Sequence, residues 1–70
     1  MRRFGEKLRS LRERRGLSYR QLAAALGVAH SHLAGLEAGA HQPSAELILK
    51  IAHYFGVSTD QLMQDTLEVE

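Results

Sequence analysis

The side chains best equipped for chemistry in this 70-residue chain are four histidines, His30, His32, His41 and His53, and a crowd of arginines near the N-terminal end. His30-Ser31-His32 raises metal binding or proton transfer, since imidazole is a common metal ligand and titrates near neutrality. Helical geometry opposes a shared ion, because residues two apart on a helix point about 200° apart. The chain has no cysteine to complete a thiolate set, and no metal site is expected. Catalysis fares no better. Glu37 and the histidines have no nucleophile elbow, phosphate loop or paired carboxylates around them, so no catalytic residue and no cofactor is expected, and the chain reads as a non-enzyme.

The arginines carry a stronger message. Eight of the nine Lys+Arg residues (Arg2, Arg3, Lys7, Arg9, Arg12, Arg14, Arg15 and Arg20) lie in the first twenty positions, where Glu6 and Glu13 leave a net +6. From residue 21 onward, Lys50 against Glu37, Glu46, Asp60, Asp65, Glu68 and Glu70 leaves −5. A face this basic is either a footprint for a polyanion or an ordinary solvated helix surface, and charge alone does not choose between them. The lack of cysteine fits a reducing cytoplasm. The longest apolar run is far below the roughly 20 residues that cross a bilayer, and no signal-peptide core follows Met1, so a cytoplasmic protein with no membrane partner is expected.

The elements that must position these residues are all helical. Phe4, Leu8 and Leu11 form one apolar stripe over about residues 2 to 14, stopped by Gly16. Ser18-Tyr19-Arg20-Gln21 reads as a capping box for a short second helix burying Leu22, Ala23 and Leu26, up to Gly27. A third helix from about His30 to Glu37 buries Leu33 and Leu36. Ser44 caps a fourth carrying Leu47, Ile48, Ile51, Ala52 and Phe55, closed by Gly56, and Ser58-Thr59-Asp60-Gln61 opens a last one with Leu62 and Met63. No period-two alternation or hairpin turn competes. Helix, Gly27, short turn, helix is the outline of a helix-turn-helix, in which a glycine reverses the chain between two crossing helices.

Read in order, Gly16-Leu17-Ser18, Leu22-Ala23, Leu26-Gly27-Val28, Leu33, Leu36-Glu37, Gly39, Pro43-Ser44, Leu49-Lys50-Ile51-Ala52, Phe55-Gly56-Val57-Ser58 and Leu62 resemble the phage-repressor family of DNA-binding domains, that of the lambda and 434 repressors, Cro and the xenobiotic-response-element proteins. The resemblance runs from Phe4 to about Met63 without an insertion. It implies an all-α, five-helix bundle of the lambda-repressor type over residues 1–66, with residues 67–70 expected to be a frayed acidic tail. It implies that Ala29, His30, Ser31, His32 and Gly35 face base edges. Ser18, Tyr19 and Arg20, together with His41, Gln42 and Ser44, then sit near phosphates, and Arg9 and Arg15 are added to that set from their place on or beside the first helix. Arg12 and Glu37 match a salt bridge that ties the first helix to the third, a structural role that suits a charge on an otherwise apolar face.

The expected partner is double-stranded DNA, read by the third helix in the major groove. Departures from the family pattern qualify this. Ala29 stands where serine or threonine is usual, removing a side-chain cap, and the third helix holds no arginine, lysine, asparagine or glutamine for bidentate base contacts. Short contacts from His30, Ser31 and His32, shape readout, or close approach to the duplex at Ala34 and Gly35 remain as reading modes. Imidazoles on this face imply affinity that rises as pH falls through about 6.5. Two function classes follow. One is a dimeric transcriptional repressor or autoregulator on an inverted repeat, with Tyr54 and Met63 as candidate dimer contacts. The other is a protein-interaction module on the same fold. No small-molecule effector site is evident.

Overall fold

The computed structural model describes residues 2–69. Five helices follow in order: α1 (Phe4–Arg14), α2 (Tyr19–Leu26), α3 (His30–Glu37), α4 (Ala45–Phe55) and α5 (Thr59–Met63), with no strand among the described residues. The chain is all-α, and α1 starts at Phe4, slightly later than its charge and apolar pattern suggested.

Local chemistry explains the starts of most of these helices. Ser18 accepts from the Gln21 N–H at 3.1 Å while the Gln21 side chain accepts from the Ser18 N–H at 2.9 Å, and Ser58 and Gln61 repeat this reciprocal pair for α5. Ser44 Oγ accepts from the Leu47 N–H at 3.1 Å to start α4. α1 has Arg3 as its N-cap with no side-chain hydrogen bond, but its apolar face is deeply buried through Phe4, Leu8 and Leu11. The remaining case is α3, whose N-cap is Ala29 with no side-chain hydrogen bond.

One core joins the helices, built on Leu8, Leu22, Leu33, Ile51 and Leu62, each with no accessible surface, and on Leu36 at 1 %. Between α2 and α3 the chain reverses at Gly27 with φ 73°, a left-handed conformation that a β-carbon would strain. Where α1 crosses the end of α3, Gly5 is required for a different reason. A β-carbon there would stand 2.5 Å from the Glu37 carbonyl oxygen and 2.6 Å from that of Leu36, so only glycine lets the two backbones meet.

Residues 67–69 of the acidic end pack back onto the rest of the chain. Val69 is buried in the core at 7 % exposure, and the Arg3 guanidinium grips Glu68 through two bonds of 2.7 and 2.9 Å. The Asp65 carboxylate accepts from the backbone N–H groups of Arg2 and Arg3 at 2.8 and 2.9 Å. These donors, Arg3 before Arg2, hold Asp65 below the usual carboxylate range, and the Arg3 side chain does the same to Glu68. Apolar burial of Val69 and charge-assisted bonds both act against the entropy lost in ordering this end segment. Glu70, the last residue of that tail, lies outside the described residues.

Candidate nucleic-acid interface

The first turn of α3 stands in solvent: Ala29, His30, Ser31 and His32 are all exposed, while Leu33 and Leu36 anchor the other face. What fixes this helix is Arg12. Its Nε donates to Glu37 Oε2 at 2.7 Å, and its Nη2 reaches Glu37 Oε1 at 3.2 Å. Nη1 donates to the Leu17 carbonyl at 2.8 Å, and the guanidinium lies 4.3 Å from the centre of the Tyr19 ring. One side chain of α1 therefore ties the entry of α2 to the end of α3. The pair is sequestered, with side-chain exposures of 11 % and 2 %. The Glu37 hydrogen bond raises the Arg12 pKa against the opposing effect of burial.

The residues expected near phosphates divide. Ser18, Tyr19 and Arg20 stand together at the exposed start of α2. The Ser18 and Ser44 oxygens are occupied as acceptors by their own helices, which leaves each hydroxyl proton to donate to an anion. His41 and Gln42 are exposed in the loop between α3 and α4. Arg9 is exposed on α1 and pairs with Glu13 at 3.2 Å. An exposed pair of this kind is weak enough to exchange for a phosphate. Arg15, also exposed, leans on the end of α4. Its Nη1 and Nη2 lie 3.4 Å from the carbonyl oxygens of Tyr54 and Phe55, and its guanidinium sits 5.6 and 5.2 Å from their rings. A cation at the C-terminal end of α4 satisfies orphan carbonyls there, and this local attraction accounts for its placement.

The exposed basic surface is smaller than the composition suggests. Lys7 is buried at 2 % exposure, and its ammonium donates to the carbonyls of Gln61 and Gln64, closing the end of α5. Arg3 and Arg12 are committed to Glu68 and Glu37. The cations of this segment that stand exposed are Arg2, Arg9, Arg14, Arg15 and Arg20. Arg2 lines a cleft of about 270 Å³ with Gly39, His41, Gln42 and Pro43, beside the loop expected at the phosphates. Only its charge marked it in the sequence.

Gly35 has a side chain lying over it. It does not offer a bare notch for close approach, because the His41 imidazole lies over it, and a β-carbon at Gly35 would overlap His41 Cδ2. The same ring stacks on His32 with centroids 5.3 Å apart and planes at 25°. Tyr54 and Met63 are exposed at 37 % and 43 %, with Phe55 taking the core position beside Tyr54.

Two short helices joined through a left-handed glycine, the second exposed along its first turn and clasped from behind by α1, define a helix-turn-helix fold. The chain belongs to the helix-turn-helix domain family, whose profile matches residues 3–64. It is 33% identical over 63 residues, 90% of its length, to the SPbeta prophage-derived uncharacterized HTH-type transcriptional regulator YonR of Bacillus subtilis. It is 32% identical over 63 residues to the cryptic phage CTXphi transcriptional repressor RstR of Vibrio cholerae. The chain spans 58% and 57% of these two relatives. Among solved structures, the restriction-modification controller protein C.AhdI from Aeromonas hydrophila superposes with a TM-score of 0.79 at 35% identity, covering 89% of this chain and 94% of that one.

Proposed function

We propose that this chain is a sequence-specific DNA-binding transcriptional regulator that inserts α3 into the major groove of double-stranded DNA and acts as a repressor or autoregulator in the cytoplasm. It works by binding rather than by catalysis. The observation that carries this reading is the exposed first turn of α3, Ala29 to His32, held outward by the Arg12–Glu37 clasp with Tyr19 and Arg20 beside it. In such a site His30, Ser31 and His32 meet base edges, and Ser18, Tyr19, Arg20, Arg9, Gln42 and Ser44 meet phosphates. The names of the relatives, transcriptional regulators and a repressor, support the same assignment.

A dimer suits the chemistry, since a reading helix without arginine, lysine, asparagine or glutamine gains from a second copy about 34 Å away on an inverted repeat. Apolar surface for that contact is present in exposed Tyr54 and Met63, with Leu49 at 53 % exposure. The amphipathic ring of Tyr54 suits such an interface. The same thin helix favours a second reading, a protein-interaction module on this fold.

Selection of bound duplexes from a random pool at low and moderate salt separates the two. An enriched inverted repeat is the expected result, with affinity falling steeply as salt rises. Arg20→Ala then weakens binding to all duplexes alike and reduces the salt slope by about one unit. No enrichment at either salt transfers the assignment to the protein-interaction module.

A further inference from the structure

Resting on the DNA-binding reading above, we propose that His41 is a base-reading residue, lent by the α3–α4 loop to a position on α3 where Gly35 leaves the helix without a side chain. Three observations converge on it. The His41 ring fills the volume that a side chain at position 35 would need, since an ideal β-carbon there would overlap Cδ2 and stand 2.7 Å from Nε2. The loop is fastened at that same residue, since the Ala40 N–H donates to the Gly35 carbonyl at 2.8 Å, and His41 follows directly. His32, one turn earlier on α3, stacks on the ring with centroids 5.3 Å apart and sets its plane.

Glycine is a poor helix former, and α3 carries it inside a helix that already lacks a side-chain cap. Its presence is explained if the space above it has a use. The two imidazoles form a continuous layer along the exposed face of α3, and both residues are exposed. Among the described residues the His41 ring has a stacking neighbour but no hydrogen-bond partner, and with its Cδ2–Nε2 edge over Gly35 the nitrogen left clear of the helix is Nδ1. An imidazole Nδ1 donates or accepts according to its tautomer, which suits either the N7 and O6 acceptors or the N6 donor that purines present in the major groove. The reading surface is thus a composite of helix and loop.

The test combines a structural and a binding measurement on the whole chain. In the free protein, a nuclear Overhauser contact between the His41 ring and the Gly35 α-protons is expected, and Gly35→Ala abolishes it by evicting the ring. Pool selection is then run with the wild type, Gly35→Ala and His41→Ala. Both variants are expected to lose discrimination by roughly tenfold at the same base position of each half-site, with the salt slope unchanged. His41→Ala lies in an exposed loop and keeps the test valid if Gly35→Ala disturbs the helix. Unchanged preference, or a uniform loss with the slope reduced by about one unit, overturns the proposal and makes His41 a phosphate contact or a bystander. A missing ring contact with an enriched wild-type motif overturns this proposal alone. A wild type that enriches no sequence removes the DNA-binding reading and this one together, even where the ring contact is present.

Discussion

α3 and α4 are neighbouring helices entered from an extended residue, yet they are held by opposite means. α4 carries its own instructions: the Ser44 cap, five buried apolar residues from Leu47 to Phe55, and a left-handed stop at Gly56. α3 has an alanine for a cap, a glycine inside it and only Leu33 and Leu36 buried. Its position comes from other elements, namely Arg12 on Glu37, the close approach of Gly5, and the loop fastened to Gly35. α3 carries little stabilisation of its own, and its neighbours supply the difference.

The largest effect that can break this contrast is loss of the clasp. Glu37→Ala leaves the sequestered Arg12 guanidinium without its carboxylate and is expected to cost about 3–5 kcal/mol, a large share of the stability of so small a domain. On α4, by contrast, the exposed Glu46 lies 3.9 Å from Lys50. Removing it is expected to cost at most about 0.5 kcal/mol. Urea unfolding of both variants measures the ratio, and similar losses would mean that α3 is no more dependent on its neighbours than α4.

Capping gives the next effect and sharpens the comparison by sign. Ser44 supplies the acceptor for the Leu47 N–H. Ser44→Ala is expected to lose about 1 kcal/mol by removing it. Ala29→Ser, supplying what α3 lacks, is expected to gain a similar amount, read as a melting temperature higher by about 4–8 °C. A destabilised Ala29→Ser would show that the entry to α3 is set by packing that the serine disturbs.

The smallest effect concerns the other attachment on α1. Asp65 and Glu68 have lowered pKa values in the folded chain, so their contribution to stability is complete above the ordinary carboxylate range and is lost as pH falls through the lowered folded values. Asp65→Asn is therefore expected to be less stable than the wild type at neutral pH and to converge on it in strong acid. Equal pH dependence of the two proteins, measured by thermal unfolding between neutrality and strong acid, would show that the carboxylate does not hold the tail.

Much of this molecule was legible from its residues in order. Ser18 with Gln21, Ser58 with Gln61, Ser44, Gly27 and Gly56 act on backbone groups close to themselves in the chain, so three helix starts and the central turn could be read from spacing alone. The roles of the cations could not. Lys7 closes a helix 54 residues away, and Arg15 leans on α4 across 39, while both carry the same charge as Arg20 in any composition. Val69 looked like part of a polar end because what buries it is not near it in sequence.

Caps, glycines and apolar periodicity are local interactions, which is why the five helices, their order and the helix-turn-helix at their centre are written directly into the chain. Other features had to wait for the helices to assemble: which basic residues face outward, the packing of the acidic tail onto α1, and the presence of His41 rather than empty space over Gly35. They depend on groups that come from distant positions, where the desolvation of a charge or the overlap of a β-carbon with a remote ring is settled by the completed core.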